Sequence, residues 1–140
     1  MAINRKFQNF LSGVMPKAAS LSPGSGLIPI VYCFETAGGA TESESVVVSR
    51  AIRVYDAHVI LKADGGANGN AVQVLNGSNA ISDSMIVGTA GDKDIVRAAE
   101  IDDAYYDVAA AGTLKVTATD AGSTDIPALK IYVYAYAYEA

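Results

Sequence analysis

A chain of 140 residues that is 51% hydrophobic and 18% charged holds enough apolar material for one domain around a continuous core, which excludes a disordered chain of the highly charged kind. Its net charge of −5 is unevenly spread: up to Phe34 there are three cations (Arg5, Lys6, Lys17) and no acid, and the remainder carries seven basic and fifteen acidic residues, a balance of −8. Such an acidic body argues against nucleic acid as its partner, because phosphate contacts need clustered Lys and Arg.

In chain order, residues 1–26 come first and differ from the rest. Phe7, Phe10, Leu11 and Val14 fall at i, i+3, i+4 and i+7, so a short helix would carry one apolar stripe. Pro16 stops it, and Ser20 to Gly26 reads as a linker. The apolar stretch Phe10 to Met15 is too short for a signal-peptide core, although an acid-free, mildly amphipathic start is also compatible with a transit peptide. Two readings of this arm stand side by side: it packs on its own sheet, or it docks on a neighbouring subunit or another protein.

From Leu27 the strand signals repeat. Leu27–Glu35 is apolar, and Pro29 confines it to an edge or a strand start. Ser45–Ser49 contains three valines. Ile52–Lys62 alternates until Asp56-Ala57, where the lost phase implies a bulge or bend. Asp64–Asn70 reads as a turn, and Ala71–Leu75 as a strand closed by Asn76-Gly77, a pair suited to a type I′ hairpin. Ala80–Ser82, continued by Asp83–Val87, then Ile95–Ile101, Tyr105–Val108 and Leu114–Thr119 follow. The last element, Leu129–Glu139, places Tyr132, Tyr134, Tyr136 and Tyr138 at every second position with Ile131, Val133, Ala135 and Ala137 between them. A period of two makes this a strand with a tyrosine face and a small aliphatic face. The expectation is an all-β fold: a β-sandwich or jelly roll of about eight or nine short strands over residues 27–140, with an extended or short-helical N-terminal arm over 1–26.

Chemistry-bearing patterns are scarce. His58 is the sole histidine, with no nucleophile or ligand set beside it, and reads as structural or surface. Cys33 is the sole cysteine; no internal disulfide can form, a reducing site of synthesis is implied, and its apolar neighbours predict a small buried hydrophobe. Asp64–Asn70 fails the spacing of a calcium loop. Glu100, Asp102, Asp103 and Asp107 would gather oxygen ligands only if folded together, and a solvated acidic turn is the favoured reading. No catalytic residue, metal or cofactor is expected, and no run of about eighteen apolar residues predicts a membrane span. The tyrosine face suits a subunit contact, or stacking against glycans.

Four segments occur in order: Val72-Gln73-Val74-Leu75-Asn76-Gly77; Ile81-Ser82-Asp83-Ser84-Met85; Ile95 to Ala104; and Ala109 to Thr117. Together they resemble small virion proteins of tailed bacteriophages, the capsid decoration or cement type, over residues 70–138. The tyrosine repeat lies outside that pattern. The resemblance implies a non-enzymatic β-sandwich, often a homotrimer, made in the host cytoplasm and placed on the outer capsid surface, where it clamps neighbouring copies of the major capsid protein. On this reading Arg5, Lys6, Phe7, Phe10, Leu11, Val14 and Lys17 form the capsid-contact arm, with the cations answering capsid acids. Tyr132, Tyr134, Tyr136 and Tyr138 form a subunit interface or binding face. The rival expectation is a carbohydrate- or receptor-binding head or tail-fibre module that uses the same tyrosines.

Overall fold

The structure, a computed structural model, describes residues 28–66, 69–122 and 124–138. The arm residues Arg5, Lys6, Phe7, Phe10, Leu11, Val14 and Lys17 lie outside them. Ten strands run in order: β1 (Ile28–Thr36), β2 (Glu42–Val47), β3 (Ile52–Leu61), β4 (Ala71–Asn76), β5 (Asn79–Ala80), β6 (Met85–Ile86), β7 (Ile95–Arg97), β8 (Asp107–Val108), β9 (Thr113–Thr119) and β10 (Leu129–Ala137). They form two antiparallel sheets, and no helix occurs among the described residues. The first sheet has the order β1-β10-β3-β7, with β8 also pairing β3; the second has the order β2-β9-β4-β5, with β6 also pairing β4. This is a β-sandwich.

Alternation explains why these sheets stack. Val54, Ala57, Val59 and Leu61 from β3 and Ile131, Val133 and Ala135 from β10 point inward and are buried. Val72 and Val74 from β4 and Leu114, Val116 and Ala118 from β9 meet them from the other sheet. Each such Val, Ile or Leu contributes about 1.5–3 kcal/mol when taken from water, and each Ala less, so the phase of a strand is fixed once one face is apolar. In β10 the small aliphatic residues take the core, which leaves the tyrosines outside.

The structure sharpens several expectations. The phase break in β3 is a β-bulge: Tyr134 pairs with Asp56 and Ala135 with Val54, so Tyr55 has no partner of its own. The β4–β5 hairpin turns one residue later than Asn76-Gly77 implied. Asn76 pairs with Asn79, and Gly77-Ser78 form the loop. Gly77 has φ 61 while Ser78 does not adopt a positive φ, so the turn follows the Gly-first pattern rather than type I′. Pro29 sits near the start of β1, an edge strand that pairs only with β10. Cys33 is corrected: it is exposed, because Phe34 and Thr36 take the inward phase of β1 and send Cys33 and Val31 outward.

Candidate functional site

The feature that stands out is the outer face of the first sheet. β10 lies between β1 and β3, so its outward tyrosines occupy the middle of that face. Register sets their neighbours: Tyr132 opposite His58, Tyr134 opposite Asp56 and Tyr136 opposite Arg53 on β3. On the β1 side Tyr132 meets Cys33, Tyr134 meets Val31 and Tyr136 meets Pro29.

The bulge adds a further ring. By turning Tyr55 and Asp56 outward in succession, it fills the space between the β10 tyrosines. The result is a ladder that alternates between strands: His58 lies 5.1 Å from Tyr132 and 5.4 Å from Tyr134, and Tyr55 lies 6.2 Å from Tyr134 and 4.4 Å from Tyr136. The Tyr55–Tyr136 and His58–Tyr132 planes are close to parallel, at 21° and 27°. Stacking of this kind is worth about 0.5–1.5 kcal/mol per pair beyond area burial.

At one end the ladder meets a cation. Arg53 lies 4.6 Å from the centroid of Tyr106 and 5.9 Å from that of Tyr138, just past the end of β10. Asp107 holds that guanidinium through two bonds, Nε to Oδ1 at 2.8 Å and Nη2 to Oδ2 at 2.9 Å. Burial pushes the hydroxyls of Tyr55 and Tyr138 above the usual tyrosine value, with Tyr136 and Asp107 respectively adding to the effect. These phenols therefore stay neutral, able to donate and accept.

The charges on this face are already paired. Arg97 donates to Asp56 at 2.7 Å, and Glu35 sits between Lys62 and Lys130 at 3.2 Å from each. With Arg53 and Asp107 the face and its rim hold four cations and three anions. The acidity of the body lies elsewhere, so this surface is close to neutral on a strongly acidic molecule. Exposed Val31 and Ile95 add apolar area around the ladder.

The other sequence candidates do not assemble. Asp83, Glu100, Asp102 and Asp103 line a cavity of about 460 Å3 with Ser82 and Ile101, but Asp107 is drawn away to Arg53. Asp102 caps the Ala104 N–H, and Asp83 accepts from Ala99 and Glu100. Among the described residues no group of three or more His, Cys, Asp or Glu is arranged to hold a metal ion. Asn70 has a different role: fully buried, it donates to the carbonyls of Gly65 and Thr124 and accepts from Ala121. His58, read from the sequence as structural or surface, belongs to the face, as do Tyr55 and Tyr106, which were not named as candidates. Alternation with Arg53 already sent Tyr55 outward, and the lost period at Asp56-Ala57 was the one local signal that Asp56 follows it to the same side.

No protein-family model and no curated protein sequence matches the chain. Solved structures that it is similar to include the capsid asymmetric unit of cyanophage Pam1, at 13% identity over 87% of this chain and 97% of that one, with a TM-score of 0.45. They also include endospore appendages of Bacillus described as disulfide-linked pili, at 11% identity over 81% and 89% and a TM-score of 0.36. Desmodium yellow mottle tymovirus follows at 11% identity over 89% and 94%, with a TM-score of 0.33. At these scores and identities the likenesses carry no argument about what the chain does.

Proposed function

We propose that this chain is a non-enzymatic structural protein of a virion, of the decoration type, whose copies meet through the outer tyrosine face. The observation that carries the proposal is the near-neutral ring ladder on an otherwise acidic body. Two bodies each carrying −8 repel, and this face, with its charges paired, adds little to that repulsion. Tyrosine supplies large contact area at low entropic cost, and its hydroxyls find partners across a contact, which is why it is enriched at interfaces. The resemblance of residues 70–138 to decoration proteins supports the same role and points to a homotrimer on the outer capsid surface.

In this account residues 1–26 reach the capsid, with Phe7, Phe10, Leu11 and Val14 as apolar anchors and Arg5, Lys6 and Lys17 answering acids on the major capsid protein. Many weak arms acting together give an avidity that one alone lacks. Deleting residues 1–20 abolishes binding to undecorated capsids while circular dichroism of the body is unchanged. Undiminished binding of the deleted chain would overturn the arm assignment.

The glycan-binding reading has one observation in its favour, since the rings do face solvent. Sugars stack on free ring faces, however, and the stacked pairs Tyr55–Tyr136 and His58–Tyr132 already occupy one face of each of those rings. A positive glycan array abolished by Tyr134→Ala would reinstate it.

A further inference from the structure

We propose that the tyrosine face releases its partner copy on acidification, with His58 as the group that titrates. The proposal deepens the reading of this face as the contact between copies and rests on it. His58 is the only histidine of the chain, and it sits inside the ring ladder rather than at its rim.

Its surroundings decide the sign. From β10 it faces Tyr132 and Tyr134, with Lys130 one outward position further along and held by Glu35. From β7 it faces Arg97, its register partner. On β3 its outward neighbours are Asp56 and Ile60, and edge strand β1 contributes only Cys33 beside Tyr132. The nearby carboxylate is committed: Asp56 Oδ2 accepts from Arg97 at 2.7 Å, and Oδ1 accepts the Ala57 N–H at 2.9 Å. A protonated ring would therefore meet Arg97, two phenol rings and a carboxylate whose charge Arg97 already shares.

In the separate subunit, water reaches His58 and solvates the imidazolium. Partial burial already holds the ring below its ordinary value of 6.5; Asp56 opposes that shift and Arg97 adds to it. A covering copy strips the water away. Cation–π attraction to Tyr132 and Tyr134 is smaller than the hydration lost by an unpaired buried ion. The covered state thus favours the neutral ring. Association is complete above the pKa of the free subunit and weakens as pH falls below it, by about tenfold per covered histidine per pH unit. Acidification also brings the chain toward its pI near 4.6, which relieves general repulsion, so release would run against the trend set by net charge.

The test follows the mass of the full chain by light scattering from pH 8 to pH 5, with near-ultraviolet circular dichroism reporting the fold. The expected result is an assembled mass at pH 8 that falls reversibly to that of a single folded chain by pH 5. His58→Phe keeps the ring without the proton and stays assembled throughout; His58→Gln, a second uncharged variant, also loses the pH response. Arg97→Gln frees Asp56 to pair with the imidazolium under the covering copy and so shrinks the loss of assembly by pH 5. A wild type that stays assembled to pH 5, or a His58→Phe variant that dissociates over the same range, overturns the switch and leaves the interface reading standing. A chain that is single at pH 8, or a Tyr134→Ala/Tyr136→Ala variant that assembles normally, overturns the interface reading and the switch with it.

Discussion

The ring of Tyr55 stacks on that of Tyr136 at 4.4 Å although Tyr55 pairs with no residue of β10. The bulge makes this possible. It turns two consecutive residues of β3 outward, so Tyr55 fills the gap beside Tyr136 while Asp56 reaches Arg97. Without the extra residue either the ladder or the ion pair would point into the core. Tyr136→Ala therefore removes a stack from the surface and leaves the core intact. Its expected cost is about 0.5–1.5 kcal/mol in urea unfolding, with an unchanged far-ultraviolet spectrum.

Asn70 is a larger liability. It is fully buried, and its side chain joins the loops at Gly65, Ala121 and Thr124, while its carbonyl accepts from Val87 and Gly88. Asn70→Ala takes that partner from the buried Gly65 carbonyl and from the partly buried Thr124 carbonyl and Ala121 N–H, and costs about 1–3 kcal/mol by urea denaturation. A loss below half a kcal/mol would contradict the assigned role.

Gly65 is required by close approach. A Cβ there would stand 1.7 Å from the Val87 carbonyl oxygen, a backbone atom that cannot swing aside. Gly65→Ala must displace the loop that Asn70 anchors, so a cost of several kcal/mol or loss of soluble protein is expected. Gly77→Ala is the contrasting control: open space surrounds it, and only its φ of 61 is strained. Its cost is about 1 kcal/mol.

Thr36 offers the opposite sign. It is buried at the end of β1, and its hydroxyl has no hydrogen-bond partner. Thr36→Val keeps the shape and removes the orphaned hydroxyl, raising stability by about 1 kcal/mol in the same assay.

Glu35 gives a pH signature separate from that of His58. Its hydrogen bonds to Lys130 and Lys62 hold its carboxyl below the ordinary value of 4.5. A depressed carboxylate adds stability that is present above the ordinary value and lost as pH falls through the lower folded one. The stability difference between wild type and Glu35→Gln is therefore constant from pH 8 to 5 and shrinks below 4.5. It also shrinks in 1 M salt, because these groups are exposed. A difference that persists at pH 3 contradicts the pairing.

How much was legible varied with the range of the interaction. The tyrosine strand was readable because a period of two is a local property, and Pro29 marked an edge by the donor it lacks. Cys33 was misplaced because Ile28 to Phe34 is apolar in both phases, and only the packing of Phe34 selects one. The partnership of His58 with Tyr132 spans more than seventy positions and depends on register, which the bulge itself alters. Asn70 looked like one more turn residue, since two of its side-chain contacts, Ala121 and Thr124, lie more than fifty positions along the chain.

The central claim is that copies of this chain meet through the tyrosine face, and mass in solution tests it most directly. Light scattering at pH 8 should give about three times the 14.5 kDa of one chain for the wild type and a single-chain mass for folded Tyr134→Ala/Tyr136→Ala. Equal masses for the two proteins, whether assembled or single, would contradict it.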